Sequence, residues 1–305
     1  MCLLGCDIGS SSIKVSIVDE ETGLTIGADF YPKEEAPIKA LRPGWAEQNP
    51  EDWWQGVVRG LQVILEKAGV DPADILGLSY SGQMHGLVAL DADNNVIRPA
   101  ILWCDQRTQK QCDWITERAG GLEGLLTYTN NRMLTGYTGG KILWLRDEEP
   151  ENFRRMKIFQ CPKDYIRFRM TGELLMDVSD ASGMLLLDVK NRCWSKEMCE
   201  ICGVRQEQLA QVYESYETVG TVLPAIADEL GVPHNVKVAA GAGDNAAAAV
   251  GTGTVGDGRC NISLGTSGTI FISSEKFGVD SHNALHAFAH ADGHYHLMGC
   301  MLSAA

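Results

Sequence analysis

The sequence is poor in positive charge and contains no long apolar run. Its 26 lysines and arginines stand against 40 aspartates and glutamates, a formal net charge of −14, and such a surface repels nucleic acid and anionic lipid. No apolar stretch approaches the roughly 20 residues that span a bilayer, and the N-terminus lacks a secretion-signal pattern. We therefore expect a cytoplasmic protein with no nucleic-acid or membrane partner, in which local groups hold any anionic ligand.

The ten cysteines do not indicate a disulfide framework, because the chain shows no export signal. Five of them lie in apolar stretches and are predicted to be buried, reduced thiols: Cys6, Cys104, Cys161, Cys260 and Cys300. Cys199 and Cys202 form a CxxC pair, but no second pair lies at zinc-site spacing. The histidine-rich segment 282–296 has the alternation of a hairpin and no acidic partner segment. We expect no metal centre in either place.

The order of predicted elements is typical of a layered α/β fold. Three strands form a meander at the start of the chain: residues 3–8, 13–18 and 24–30. Asn49 and Pro50 then predict the start of an amphipathic helix that ends before Gly69, and residues 75–82 form a buried strand. Further strands and helices follow, with a looser segment at residues 152–219 that we interpret as an insertion.

The opening strand–loop–strand pattern returns near the end of the sequence. "IGSS" after Asp7 aligns with "LGTS" after Ser263, so the second copy lacks the charge of the first. In each loop, a glycine permits close approach of the backbone, successive N–H groups form an anion-binding concavity, and hydroxyls add donors. The repeat therefore favours two phosphate-binding loops, although two ordinary hairpins rich in small residues would give the same pattern.

Asp7 would oppose an anion unless a cation lay between its carboxylate and the phosphates. We therefore predict that Asp7 binds Mg²⁺, through water. Lys14 lies near the start of the second strand, where it could add positive charge beside a transferred phosphoryl group. These two residues predict phosphoryl-transfer chemistry at the first loop.

"GAGDNAAAAVG" at residues 241–251 predicts a tight turn followed by a helix of small residues. Asp244 lies at the tip of this turn, where a structural aspartate would cap the helix. The alternative function is a general base that accepts the proton of a substrate hydroxyl, with Asn245 as its hydrogen-bonding neighbour. The flanking glycines favour the close approach of a ligand.

"SGQMHG" at residues 81–86 follows the buried strand and is bracketed by two glycines. This arrangement indicates a projecting turn that offers His85 as a hydrogen-bond donor and Met84 as an apolar wall to a polar molecule. An ordinary core or surface histidine is the alternative interpretation of His85.

The chain resembles the xylulokinases of the FGGY family of carbohydrate kinases. The resemblance rests on these segments: "DIGSSSIKV", "GWAEQNPEDWW", "SGQMHGLVALD", "RPAILWCDQR", "PKDYIRFRMTGE", "GAGDNAAAAVG", "SLGTSG" and "HLMGCMLSAA". It implies a ribonuclease H-like domain of the actin-like ATPase fold, with a mixed five-stranded sheet and flanking helices. This N-terminal domain would span residues 1–240, and residues 241–305 would begin a second, nucleotide-binding domain.

The resemblance also implies ATP-dependent phosphorylation of the 5-hydroxyl of D-xylulose with Mg²⁺. Asp244 would be the catalytic base and Asp7 the metal-binding acid. The sugar would contact Met84, His85, Asp244 and Asn245. The phosphates would contact Ser10, Ser11, Ser12, Lys14, Gly265, Thr266 and Ser267. Outer walls of the sugar pocket would come from Trp45, Trp103 and Cys104.

Several alternatives remain open. The same fold could serve gluconate, L-ribulose, L-fuculose or glycerol, although the Gln83–His85 turn offers little positive charge for gluconate. An ATP-driven chaperone or filament protein would have no use for this turn or for the "GDN" segment. A sugar-binding module without catalysis is the third alternative. Because family members are longer, we expect weak ATP binding and little activity from these 305 residues, and a homodimer could cover exposed strands of the second domain.

Overall fold

The structure of the protein is a computed structural model that describes residues 1–264 and 268–301. The strands are β1 Cys2–Ile8, β2 Ile13–Asp19, β3 Thr25–Tyr31, β4 Glu47–Gln48, β5 Ile75–Gly82, β6 Val88–Leu90, β7 Ala100–Ile101, β8 Ile158–Gln160, β9 Leu175–Asp177, β10 Leu187–Asp188, β11 Cys193–Trp194, β12 Gln211–Tyr213, β13 Thr218–Thr221, β14 Lys237–Ala239, β15 Ala242–Gly243, β16 Cys260–Leu264, β17 Gly268–Ser274, β18 His286–Ala289 and β19 Tyr295–Met301.

The α-helices are α1 Pro50–Ala68, α2 Gln109–Arg118, α3 Gly121–Tyr128, α4 Thr138–Glu148, α5 Pro150–Arg155, α6 Pro162–Thr171, α7 Val178–Ser182, α8 Lys196–Cys202, α9 Pro224–Leu230 and α10 Asp244–Gly251. Two short 3₁₀ helices cover Pro72–Asp74 and Gln206–Gln208. Among the helices of the described residues, none combines the length and the apolar character needed to cross a membrane.

The central sheet is mixed, as the resemblance implies, and has the order β13-β14-β5-β1-β2-β3, with β15 paired to the end of β5. β1 runs antiparallel to β2 and parallel to β5, and β14 also runs parallel to β5. The predicted fold class is confirmed, but the sheet has seven strands instead of five. There are two additional strands. β13 lies in a segment without strand-like alternation, and β15 is part of the glycine-rich turn before Asp244.

One face of the meander packs on α1. Alternate residues of β1 and β2 are buried, and α1 approaches β2 closely because it presents glycines there. A Cβ atom at Gly60 would lie 3.0 Å from Val15 Cγ1, and one at Gly56 would lie 2.8 Å from Ile13 Cγ1. The predicted ends of α1 are confirmed, since the Asn49 side chain accepts from the Glu51 N–H and Gly69 adopts a left-handed conformation with φ of 64°.

The strands after the "SGQMHG" turn pair differently from a simple hairpin. A single bridge joins Leu90 to Val96 across the turn of residues 91–95, while β6 forms its ladder with β8. This partner lies about seventy residues later in the chain, and local alternation carries no information about such long-range pairing.

A second sheet has the order β16-β17-β19-β18, and the predicted strands on either side of the second loop are confirmed. Strand β18 packs against the first part of the chain, where Phe288 joins the main hydrophobic core. Asn131 extends this contact, because its amide donates to the Ala287 carbonyl at 2.7 Å and accepts from the Ala287 N–H at 2.8 Å. The two sheets are therefore joined by packing and by hydrogen bonds.

All ten cysteines lie within the described residues and are free thiols. Cys6 and Cys161 are buried, as predicted, but Cys260 and Cys300 are exposed and Cys104 is only partly buried. The prediction was wrong for Cys260 and Cys300 because β16 is an edge strand with mostly exposed residues, and the end of β19 is exposed as well.

Candidate active site

Two acidic residues far apart in sequence meet at the carboxyl ends of parallel strands. Asp7 lies near the end of β1, and Asp244 follows β15, which pairs in parallel with the end of β5. Both carboxylates line one cavity of about 420 Å³, together with Ser81, Asn245, Ala247 and Ala248. Parallel strands bring their ends to the same edge of a sheet, which explains why the two sequence segments converge.

The Asp7 carboxylate has two partners from the neighbouring strands. Ser81 Oγ donates to Asp7 Oδ1 at 2.6 Å, and Lys14 Nζ donates to Asp7 Oδ2 at 2.9 Å. Both contacts follow from register, since Lys14 and Ser81 are the residues paired with Asp7 on β2 and β5. Sequence reasoning missed Ser81, although it ends a buried strand next to the predicted sugar loop.

Asp244 is the first residue of α10 and not its cap, because Gly243 occupies the N-cap position. Its Oδ1 accepts from the Asn245 N–H at 2.7 Å and from the Asn245 side-chain amide at 2.8 Å. Desolvation, followed by the nearby charge of Asp7, raises the pKa of Asp244 from 3.8 to about 6. The carboxylate is therefore mostly ionised at neutral pH but basic enough to accept a proton.

The "SGQMHG" turn touches the turn that carries Asp244. Met84 is buried between Gly243 and Gly183. A Cβ atom on Gly243 would lie 2.8 Å from Met84 Cγ, and a Cβ atom on Gly183 would lie 3.1 Å from Met84 Cε. Met84 and His85 are thus adjacent to the Asp244 turn, although Met84 packs beneath this turn and does not line the cavity that holds both acids. Gly183 was not identified from the sequence.

The hydrogen bond of His85 fixes a ring tautomer that offers an acceptor at Nε2, not the donor that the sequence suggested. Its Nδ1 lies 2.6 Å from the Gly183 carbonyl, which can only accept, so Nδ1 carries the proton. Burial lowers the pKa of His85 to about 3, which keeps the ring neutral and leaves Nε2 with a free lone pair. The donor role expected for His85 was wrong because the carbonyl of Gly183, 98 residues away in sequence, determines which ring nitrogen carries the proton.

The first loop is held by a hydrogen bond within it and by two hydrogen bonds to neighbouring segments. The Gly9 N–H donates to the Ser12 carbonyl at 3.2 Å, and the Gln48 side chain donates to the Ser10 carbonyl at 2.7 Å. Ser11 Oγ donates to a carboxylate oxygen of Glu35 at 3.0 Å, so this hydroxyl is directed away from the predicted phosphate role. Gly265, Thr266 and Ser267 of the second loop lie outside the described residues.

The suggested outer walls lie elsewhere. Trp45 stacks on the Arg107 guanidinium, 3.7 Å from its carbon to the ring centre, and lines a separate cavity with Trp144. Trp103 and Cys104 pack partly buried against the main core. None of these three residues lines the cavity of Asp7 and Asp244. Trp45 packs instead in a cluster around the buried Arg107, and its role as an outer wall of a sugar pocket stays a prediction.

A buried ionic network supports the Asp244 turn from below. Lys163 Nζ donates to Asp164 at 2.7 Å and to Asp177 at 2.8 Å. Asp177 also accepts from the Ser179 hydroxyl, and Ser179 Oγ in turn accepts from the Gly243 N–H at 2.9 Å. Only the charged residues at helical spacing in "PKDYIR" could have indicated this network from the sequence.

Cys161, Asp164 and Asp180 bring potential metal ligands within 4.8 Å of one another in this network. The ammonium of Lys163 lies among them, 2.7 Å from Asp164 and 3.5 Å from Asp180. The side chains therefore have a cation of their own, and this cluster is a structural ion pair.

The sequence profile described as "FGGY family of carbohydrate kinases, N-terminal domain" matches residues 2–251. The chain belongs to this family. Among curated relatives of this FGGY chain, "Xylulose kinase" of Escherichia coli (strain K12) is 41% identical over 303 residues, which are 99% of this chain and 60% of the relative. The chain therefore spans about three fifths of the length of that relative.

Solved structures of FGGY kinases have the same fold. A "xyloylose kinase" from Brucella ovis is 35% identical with a TM-score of 0.93, and the match covers 100% of this chain and 61% of that protein. A gluconate kinase from Lactobacillus acidophilus is 23% identical with a TM-score of 0.88, covering 98% and 59%. The actin-like ATPase fold is thus confirmed, but kinases named for different sugars share it.

Proposed function

We propose that this chain takes part in the ATP-dependent phosphorylation of D-xylulose to D-xylulose 5-phosphate, with Asp244 as the base. The observation that carries the proposal is the shared cavity of Asp7 and Asp244, in which burial and the charge of Asp7 raise the pKa of Asp244 to about 6. The names of the relatives support the sugar, since the E. coli and B. ovis proteins are both named for it.

In this mechanism the sugar hydroxyl donates its proton to Asp244 while its oxygen forms a bond to the γ-phosphorus of ATP. The bond from this phosphorus to the bridging oxygen breaks, and ADP leaves. Asn245 holds the carboxylate through two hydrogen bonds, which orient its Oδ1 before the reaction. Met84 and His85 would bind the sugar, His85 by accepting a hydrogen bond from a sugar hydroxyl at Nε2.

The residues present fit a magnesium ion. Mg²⁺ prefers carboxylate and water oxygens, and the cavity offers Asp7 together with the neighbouring carboxylate of Asp244. The repulsion between these two groups, which raises the pKa of Asp244, would be relieved by a cation. We propose that Asp7 holds the ion. When bound, Mg²⁺ would neutralise charge on the phosphates of ATP.

We propose that the two loops rich in serine and threonine contact the phosphates through Ser10, Ser12, Gly265, Thr266 and Ser267. Lys14, on β2, would add a further contact. Ser11 belongs to the same loop, but its hydrogen bond to Glu35 would have to break for this role. Lys14 is well exposed, and its ammonium could turn from Asp7 toward a phosphate oxygen.

We also propose the domain division and the setting that the sequence suggested. Residues 1–240 would form the sugar-binding domain and residues 241–305 would begin the nucleotide-binding one, in a cytoplasmic protein. The exposed apolar residues Ile262, Leu264 and Ile270 offer a surface for a homodimer. Sedimentation at increasing protein concentration would test the dimer.

Calorimetric titration with D-xylulose tests the sugar, with D-ribulose, gluconate and glycerol as controls. We expect saturable binding of D-xylulose and much weaker binding of the controls. In a complete enzyme that includes the whole nucleotide-binding domain, ADP release with ATP and Mg²⁺ then separates a kinase from a sugar-binding module, and Asp244→Asn should abolish it while sugar binding persists at lower affinity. Tight gluconate binding, or undiminished turnover of the variant, would contradict the proposal.

A further inference from the structure

Lys141 is a wholly buried cation without a partner carboxylate. In the described part of the chain it forms no ion pair, and its ammonium donates only to the carbonyls of His85 and Gly136, at 2.7 Å each. Burial lowers the pKa of Lys141 to about 7, outweighing the opposing attraction of Asp105. Burial of an ammonium without an ion-pair partner costs free energy. This cost indicates that the hydrogen bonds from Lys141 to the two carbonyls have a role that offsets it.

One of these carbonyls belongs to a strained residue. His85 adopts a left-handed conformation with φ of 65°, which is unfavourable for a residue with a side chain. Thr138 Oγ donates to the same carbonyl at 3.0 Å. Two donors from the first turn of α4 therefore fix the backbone in a conformation that it would not adopt freely, and such strain persists only where surrounding contacts determine it.

The same helical turn also sets the His85 ring. Tyr137 packs edge-to-face on the imidazole with ring centres 4.9 Å apart. The Gly139 N–H donates to the Met184 carbonyl at 2.9 Å and so holds the turn whose Gly183 carbonyl accepts from His85 Nδ1. Residue 183 must be glycine for this contact, because a Cβ atom there would lie 2.5 Å from the ring.

We propose that Lys141 is a positioning residue for the sugar: it holds the His85 backbone so that the ring binds Gly183 through Nδ1 and keeps Nε2 as an acceptor for a sugar hydroxyl. This role rests on the proposed function and extends it to a residue that touches no substrate. Lys141 acts through one carbonyl, so its replacement should weaken sugar binding through a change at the His85 ring.

The test compares Lys141→Met, which keeps the length of the side chain and removes the ammonium, with Lys110→Met, an exposed control on α2. D-xylulose affinity is measured by calorimetry, and the protonation of His85 Nδ1 by ¹⁵N NMR of histidine-labelled protein, assigned with His85→Gln. We expect at least a tenfold loss of affinity and loss of the Nδ1–H signal pattern in Lys141→Met, and neither change in Lys110→Met.

Unchanged affinity, or an unchanged His85 ring, in folded Lys141→Met would overturn the proposal. If that variant does not fold, Thr138→Val removes the second donor to the same carbonyl, and we expect a two- to fivefold loss of affinity with a shifted His85 resonance; no shift would count against the proposal. If the unmodified protein binds no D-xylulose, the proposed function fails, while the NMR comparison still decides whether Lys141 holds the ring.

Discussion

Met84 occupies the space where a side chain of residue 243 would lie. A Cβ atom on Gly243 would be 2.8 Å from Met84 Cγ and 3.0 Å from its sulfur. This contact joins the "SGQMHG" turn to the turn of Asp244 without a hydrogen bond between their side chains. The relative position of the proposed sugar-binding residues and the proposed base therefore depends on the absence of one methyl group.

Gly243→Ala should move Met84 or the Asp244 turn. The backbone at residue 243, with φ of −56° and ψ of 147°, suits alanine, so the effect arises from overpacking, which costs about 1–3 kcal/mol. We expect a loss of stability of this size in urea denaturation and at least a tenfold loss of D-xylulose affinity. Gly251→Ala is the matched control, because a Cβ atom there meets open space and alanine should stabilise the end of α10 slightly. Equal effects of the two substitutions would contradict the packing argument.

The rate of D-xylulose phosphorylation should depend on the ionisation of Asp244. Because the pKa of this carboxyl is raised to about 6, the base is protonated and inactive below that pH and ionised above it. We expect kcat/KM to rise about tenfold per pH unit below pH 6 and to level off near pH 7. A flat profile between pH 5 and pH 7 would show that another group limits the reaction.

Asp244→Asn should stabilise the fold at neutral pH while it abolishes turnover. Because the pKa of Asp244 is raised by folding, ionisation of this carboxyl destabilises the folded state. This destabilisation is absent below pH 3.8, the pKa in the unfolded chain, grows up to about pH 6 and is constant above that pH. We expect a gain on the order of 1–2 kcal/mol at pH 7.5, allowing for the partial exposure of the side chain, and almost none at pH 4. Thermal unfolding at both pH values measures it, and a gain that is equal at both would refute the electrostatic cause.

The sequence allowed the elements with a local signal to be predicted. The alternation of β1 and β2 and the caps of α1 at Asn49 and Gly69 are local patterns, and the structure has them where expected. Asp7 and Asp244 could be proposed because each ends an apolar stretch next to glycine. Residues that act through distant partners could not be recognised: Lys141 looks like any helical lysine until its contact with the His85 carbonyl, 56 residues away, is seen.

Thiol labelling should separate the cysteines by exposure. Cys193, Cys260 and Cys300 are exposed, whereas burial raises the pKa of Cys202 to about 12, which suppresses its thiolate, and also keeps the reagent away from its sulfur. We expect fast modification of the three exposed thiols in native protein and modification of Cys202 only after denaturation. Mass spectrometry of peptides after brief treatment with iodoacetamide identifies the sites. Protection of Cys260 and Cys300 that is lost on dilution would instead indicate that association covers β16 and β19.

Asp177 and Asp180 are both fully buried and lie three residues apart, but the free energy of unfolding should respond strongly to asparagine at 177 and weakly to asparagine at 180. Asp177 accepts from Lys163 at 2.8 Å and from Ser215 Oγ at 2.8 Å. No hydrogen bond reaches either oxygen of Asp180 within the described residues, and burial raises the pKa of Asp180 well above its usual range. Asp177 is therefore the hydrogen-bonded ion-pair partner of Lys163, whereas Asp180 lies 3.5 Å from the same ammonium without a hydrogen bond, and burial disfavours its charged form.

Asp177→Asn removes the charge that balances Lys163 and should cost about 3–5 kcal/mol, as for other broken buried ion pairs. Asp180→Asn removes a carboxyl that no hydrogen bond holds within the described residues and whose charged form burial disfavours, so it should change the free energy of unfolding by less than about 1 kcal/mol. Urea denaturation at pH 7 measures both values. Because Ser179 links Asp177 to the Gly243 N–H, we also expect Asp177→Asn alone to weaken D-xylulose binding; a similar loss in Asp180→Asn would mean that Asp180 is charged and that the network is balanced differently.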